Sequence, residues 1–195
     1  MEAERPTEPR QAASVIVLRD GGDGLEVLLV RRNPAARFMG GAWVFPGGAV
    51  DAHEGGGDQS HRIAAVREVE EEAGLRLPDP AALVRFSRWI TPPQMPIRFD
   101  THFFLAAAPA GQEAQVDGTE MVALAWHTPA GALAAHRRGE LQLVFPTIKH
   151  LEQLAGFASA TALLDWATGR EVTAVEPHVE FTGETARVVL PGEPG

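Results

Sequence analysis

The stretch REVEEEAG, Arg67 to Gly74, sets four glutamates into five consecutive positions. On a plain helix surface this is unfavourable twice over. Like charges three and four residues apart repel by about 0.2–0.5 kcal/mol per pair. Gly74 reads as the residue just past a helix end, which leaves the acids in the last turn, where the macrodipole disfavours negative charge. At about 100° per residue, with Glu68 as origin, Glu72 falls near roughly 40° and Glu71 near roughly 300°. These three share one face, and Glu70 points away from them. Val66, Val69 and Ala73 fall on the opposite side, where a core face would lie. The chain must therefore bury the apolar stripe while three converging carboxylates meet a compensating cation. Hard divalent ions, Mg²⁺ or Mn²⁺, take oxygen ligands of this kind, and Mg²⁺ commonly bridges to substrate phosphates. The bland alternative is a solvated acidic face paired with Arg62 and Arg67.

Composition narrows the function classes. The net charge of −9 argues against a nucleic-acid or membrane-surface footprint, since both need a basic face. An anionic small molecule held by a local basic patch is still compatible. With no cysteine, disulfides, thiolate zinc sites and cysteine nucleophiles are excluded. No apolar run approaches the roughly 18 residues of a membrane span. The opening MEAERPTEPRQAA has no apolar h-region and reads as no signal peptide. Residues 1–12 are expected as a disordered tail, 13–195 as a single domain, and the cytoplasm as the compartment. The seven histidines show no HExxH spacing, and neither a P-loop ending nor a G-x-S-x-G elbow is present.

Periodicity gives a coarse plan. Strands are expected at Ala13–Asp20 and Leu25–Arg32, joined by the GGDG turn as a hairpin, and at Trp43–Gly48. A polar, glycine-rich segment leads into the acidic helix, expected over Ser60–Ala73 with Ser60 as N-cap. Further strands are expected at Leu83–Ile90, Ile97–Ala108 and Glu120–Thr128, then a short helix at Ala130–Arg138. Ile148, Leu151, Leu154, Ala158 and Ala162 carry helical spacing, so one helix is expected over Thr147–Ala167. The last segment resembles a hairpin turning near Gly183. A C-terminal extension of helix and hairpin thus starts at about residue 141. The order of elements predicts an α/β architecture, a mixed sheet between helices.

Upstream of the acidic helix lies FPGGAVDAHE, in which five residues separate Gly48 from Glu54. Together with REVEEEAGL, Arg67–Leu75, this resembles the box of Nudix hydrolases: Gly, five residues, Glu, seven residues, then Arg-Glu-apolar-x-Glu-Glu-x-Gly-apolar. Arg67, Glu68, Val69, Glu71, Glu72, Gly74 and Leu75 match the second half, and Gly48 and Glu54 the first. Twelve residues, Gly55–Val66, stand where the pattern has seven. The resemblance implies the Nudix fold, an α/β/α sandwich, and metal-dependent cleavage of a diphosphate linked to another moiety. By position it implies Glu68, Glu71 and Glu72 as metal-binding acids, the Gly48 carbonyl as a further ligand, and Arg67 as the residue that orients a box glutamate. Metal ions neutralise phosphate charge and acidify an attacking water, and a glutamate removes the proton. Glu68 and Glu120 are both candidates for that base, the latter because a glutamate after the box serves this purpose in some members.

The region before the box bears on substrate. Leu28-Leu29 and Arg37, then three residues, Gly41, three residues, and Phe45-Pro46-Gly47-Gly48 resemble the signature preceding the box in coenzyme A diphosphatases. Val30 and Arg32 stand where that signature has threonines, and Asn33 replaces a small residue. The RRNPAARFMGGAWVFPGGAVD block, the lengthened loop and RFDTHFFLAA are similar to the branch of peroxisomal coenzyme A diphosphatases and bacterial relatives. That likeness implies cleavage of coenzyme A or acyl-CoA to 4′-phosphopantetheine species and adenosine 3′,5′-bisphosphate. ADP-ribose or a nucleotide sugar is the alternative substrate class, and a catalytically silent nucleotide-binding module the alternative function. Arg31, Arg32, Arg37 and Arg98 are candidate phosphate ligands, because guanidinium binds phosphate bidentately; Glu54 joins them as a candidate substrate contact. Trp43, Trp89, Phe103 and Phe104 are candidates to stack an adenine, although strand aromatics more often belong to the core. A homodimer is expected from family likeness alone.

Overall fold

Seven buried residues in a row, Ala12–Leu18, mark a strand covered on both faces, which is why it reads as a continuous apolar run rather than an alternating one. In the computed structural model, which describes residues 7–182 and 185–192, this strand is the middle of the molecule. It is β1, Arg10–Gly21. It pairs antiparallel with β2, Gly24–Arg32, through the expected hairpin, and parallel with β6, Phe99–Ala107. Beside β2 lie β3, Trp43–Val44, and β7, Met121–His127; β4, Gly47–Ala49, pairs with β1. Beyond β6 come β5, Val84–Ile90, and β8, Ala174–Val175. The sheet is mixed, with spatial order β3-β2-β1-β6-β5-β8.

Helices cover both faces. The helix α1, Asp58–Ala73, lays Ala64, Ala65, Val69 and Ala73 on Ala13, Val15, Val17 and Phe104. On the other face, α2 (Pro129–Arg137), α3 (Phe145–Leu154) and α4 (Ala160–Ala167) bury Ala132, Leu151, Leu154 and Leu163 against Ile16, Leu18, Leu29 and Leu105. This is the α/β/α sandwich that the order of elements predicts. A separate hairpin joins β9, His178–Thr182, to β10, Thr185–Val189; the turn expected near Gly183 lies outside the described residues. Among the described residues no helix is long and apolar enough to cross a membrane.

Several boundaries differ from expectation. Residues 10–12, expected within a disordered tail, belong to β1, because Arg10, Gln11 and Ala12 pair with Phe99, Asp100 and Thr101; residues 1–6 lie outside the described residues. The strand expected over Trp43–Gly48 is two, since the chain changes partners from β2 to β1 across Phe45-Pro46. Helix α1 starts two residues before Ser60. Gly57 holds the N-cap position, and the Ser60 hydroxyl donates to the Gly57 carbonyl at 2.7 Å. The helix expected over Thr147–Ala167 breaks between Leu154 and Ala160, where the Ser159 hydroxyl accepts from the Ala162 amide and caps α4. Ala158 and Ala162, read as part of one apolar stripe, are exposed.

Candidate active site

The glycines of β4 let three elements meet. A Cβ on Gly47 would lie 2.5 Å from the Ala13 carbonyl oxygen, and one on Gly48 would lie 2.3 Å from Glu68 Oε1. Strand β4 therefore fits against β1 only with bare backbone at Gly47, and a side chain at Gly48 would displace the Glu68 carboxylate. The Gly47 amide donates to Glu72 Oε2 at 2.9 Å. Glu72 and Glu68 thus line the floor beside β4, while Glu71 stands outward with its side chain 58% exposed.

Arg67 is the hub of this corner. Its Nη1 donates to Glu68 Oε1 at 2.7 Å and Glu71 Oε2 at 3.2 Å. Its Nε donates to Glu54 Oε1 at 2.9 Å, and its Nη2 to the Ala49 carbonyl at 3.0 Å. Glu54 ends a short 3-10 turn, Ala52–Glu54, and its Oε2 accepts from the Asp51 amide at 2.7 Å. With its side chain 1% exposed, Glu54, expected as a substrate contact, is engaged by Arg67. Burial alone would raise the Glu54 carboxyl, but Arg67 and the Asp51 amide more than offset this and hold it below the usual range.

The floor carboxylates behave oppositely. Burial pushes the Glu72 carboxyl up to about 8, opposed by the Gly47 amide and Arg32 and reinforced by the charges of Glu68 and Glu120. Burial also raises Glu68, opposed by Arg67 and reinforced by Glu71 and Glu120. Glu120 stands at the mouth of β7, exposed, and its charge reaches both. Among the described residues no three such groups are gathered tightly enough to hold a metal ion as they stand, because Arg67 sits between Glu68 and Glu71. The donor set nonetheless fits a hard divalent cation. All donors are oxygens: Glu72 is a buried carboxylate with no cation among the described residues bonded to it, Glu68 is half-buried and shares Arg67, and Glu71 is an exposed side chain held only by Arg67.

The candidate arginines separate. Arg32, whose Nε donates to the Phe38 carbonyl at 3.2 Å, acts electrostatically on Glu72 and belongs to the site. Arg37 is exposed on the loop after β2, with no polar partner among the described residues. Arg31 is exposed and donates to the Gly41 carbonyl at 3.4 Å. Arg98, expected as a phosphate ligand, is only 8% exposed and is committed within the fold: it donates to the Thr91 and Thr7 carbonyls and pairs with Glu176 at 2.8 Å. Of the aromatic candidates Phe104 and Trp89 are buried, and Trp43 and Phe103 are half-buried against the core. Phe104 is buried under α1, Trp89 and Phe103 pack on His150, and Trp43 sits edge-on to His127. Asp117 and Asn33, to which no motif gives a role, grip the backbone of Glu120. The Asp117-Gly118 pair before a strand is the turn signal that points to the first.

A model of the NUDIX domain matches residues 8–145. Acyl-coenzyme A diphosphatase NUDT19 of Homo sapiens is 25% identical over 88% of this chain and 72% of its own length. The crystal structure of a NUDIX hydrolase from Alicyclobacillus acidocaldarius superposes with a TM-score of 0.74 at 28% identity, covering 85% of this chain and 99% of that one. That of a MutT NUDIX hydrolase from Burkholderia pseudomallei gives 0.58 at 25% identity, over 75% and 98% of the two chains.

Proposed function

The chain belongs to the Nudix family of hydrolases acting on phosphoric anhydrides, and from that premise we propose that it is an Mg²⁺- or Mn²⁺-dependent diphosphatase of coenzyme A or acyl-CoA. The observation that carries the chemistry is the corner where buried Glu72 and half-buried Glu68 share a floor beside the bare backbone of Gly47 and Gly48, with the charge of exposed Glu120 reaching both. Glu68, Glu71, Glu72 and the Gly48 carbonyl would hold the metal. Bound there, a divalent cation neutralises diphosphate charge and acidifies the attacking water. Arg67 orients Glu68 and is itself fixed by Glu54. Glu120 is the base in this reading. Glu68 is engaged by Arg67 at 2.7 Å and assigned to the metal, whereas Glu120 is exposed beside it.

Substrate identity rests on Arg37 and on the likeness to the human acyl-coenzyme A diphosphatase. Coenzyme A carries a 3′-phosphate remote from its diphosphate, and an exposed guanidinium with its donors uncommitted suits that group. Digestion of coenzyme A with Mg²⁺, followed by mass analysis, should yield adenosine 3′,5′-bisphosphate and 4′-phosphopantetheine. Arg37→Ala should raise KM for coenzyme A more than for dephospho-coenzyme A. Equal effects remove Arg37 from this role. Turnover of ADP-ribose without turnover of coenzyme A transfers the same chemistry to that substrate, and turnover of no diphosphate leaves a binding module.

A further inference from the structure

The loop that carries Glu120 is fixed far more firmly than its exposure suggests. Asp117 Oδ2 accepts from the Thr119 amide at 3.0 Å and the Glu120 amide at 2.8 Å. Its Oδ1 accepts from the Met121 amide at 2.8 Å, and the Thr119 hydroxyl also donates to Asp117. Gly118, with φ of +79°, turns the chain back over the carboxylate, and its amide bonds the Met121 carbonyl at 2.9 Å. From the opposite side comes Asn33, the first residue after β2. Its amide donates to the Glu120 carbonyl at 2.8 Å and its Nδ2 to the Thr119 carbonyl at 2.8 Å. The Asn33 Oδ1 meanwhile accepts from the Ala35 amide at 2.9 Å, in the loop that carries Arg37. Met121 is anchored in the core on the α1 face. A surface turn needs a single hydrogen bond, and many have none. Here both backbone polar groups of Glu120 are committed, so its side chain leaves from a fixed point, and its charge reaches Glu68 and Glu72.

We propose that Asp117 and Asn33 are positioning residues that clamp Glu120 against the box acids, with Asn33 shared between the Glu120 and Arg37 loops. The inference rests on the proposed function, in which Glu120 takes the proton. Proton transfer demands a base within hydrogen-bond reach, and a displacement of about 1 Å costs on the order of a hundredfold in rate. A clamp of backbone hydrogen bonds is what holds an exposed carboxylate to that tolerance.

The test is steady-state turnover of coenzyme A with Mg²⁺ by the full chain and by Asp117→Ala, Asp117→Asn, Glu120→Gln and the Asp117→Ala/Glu120→Gln double variant. Asp117→Ala should lose kcat by about 30- to 100-fold with KM within about twofold. Asp117→Asn keeps one acceptor oxygen but turns an Nδ2 donor toward a backbone amide, so it should recover only part of that loss. Asn33→Ala should show a smaller loss of the same kind. Glu120→Gln should fall by about 10²- to 10⁴-fold, and the double variant should be no slower, because Asp117 acts through Glu120. Amide exchange at Glu120 and Met121 should quicken by about tenfold in Asp117→Ala, a readout that needs no turnover. Multiplied losses in the double variant overturn the clamp, as does a lowered melting temperature with wild-type kcat in Asp117→Ala. Wild-type turnover in Glu120→Gln overturns the assignment of the base and the clamp with it. Failure of the substrate reading is separate: the unmodified protein would spare coenzyme A and cleave ADP-ribose, and the same variants are then compared on ADP-ribose.

Discussion

Arg67 shows how one side chain can serve stability and chemistry together. Its fork binds Glu54, Glu68, Glu71 and a main-chain carbonyl, contacts that a lysine, with one point charge, cannot reproduce. The carboxylates of Glu54 and Glu68 raise its pKa, the Glu54 bond most of all, against burial, which lowers it. Arg67→Ala leaves the buried Glu54 carboxylate unpaired and should destabilise the fold by about 3 kcal/mol, measured by urea unfolding without metal. A loss below about 1 kcal/mol would mean that water reaches Glu54 and that the pair is not structural. Glu71→Gln behaves the other way. Its exposed side chain makes one ion pair, so metal-free stability should change by under about 0.5 kcal/mol. Turnover should nonetheless fall by about a hundredfold or more if Glu71 holds the cation, since several kcal/mol of charge stabilisation go with it. Near-normal turnover removes Glu71 from the metal site. The box acids were legible in sequence because motif and helical phase agree on the same residues. Glu54 was legible as a box residue but not as the partner of Arg67, because their contact spans thirteen positions that spacing alone does not fold.

At the scale of elements, the lengthened box reads in sequence as loop, and GGGDQ as a removable piece. Only Gly55–Gly57 is loop; Asp58 and Gln59 form the first turn of α1. Asp58 pairs with Arg62 at 2.7 Å and with Arg85 of β5 at 2.6 Å, tying the helix start to the sheet. Deleting Gly55–Gln59 still restores the seven-residue spacing to Arg67, and loop length itself matters little. Losing the Asp58 contacts should cost about 1–2 kcal/mol, with the partial exposure of these groups already discounted. The catalytic face lies two turns downstream, so kcat should stay within about tenfold. A drop of several orders of magnitude in a folded, metal-binding variant would show that the insertion takes part in the chemistry. Strands were read well because turns and apolar runs bound them. The break between α3 and α4 was not, because alanines at 158 and 162 sustain a helical pattern that neither residue buries; the Ser159 cap and nearby Gly156 were the better guides.

Across the whole molecule, two buried basic side chains, one charged and one neutral, lie apart from the candidate active site, and sequence distinguishes neither from a surface group. Arg98 gathers the segment before β1, the β5–β6 connection and Glu176 near the C-terminal hairpin, so it braces distant stretches of chain. His150 is the other. It projects from α3 among Phe45, Phe86, Trp89 and Phe103, with Nε2 at 2.7 Å from the Ser87 hydroxyl and Nδ1 without a partner among the described residues. Burial lowers its pKa to about 3, so the folded state keeps this imidazole neutral. The unfolded chain protonates it near pH 6.5. Its contribution is therefore fully present above about pH 6.5 and is lost as pH falls toward 3, where the folded state begins to bind the same proton. Between pH 7 and pH 5 that single site removes about 2 kcal/mol of stability. His150→Leu forfeits the Ser87 contact, roughly 1 kcal/mol at neutral pH, but it also removes the proton uptake. Denaturant unfolding at pH 7 and pH 5 should thus show wild type losing about 2 kcal/mol more than His150→Leu across the interval. Equal losses would mean that His150 takes up its proton within the folded core, with water or a rearranged Ser87 accommodating the charge.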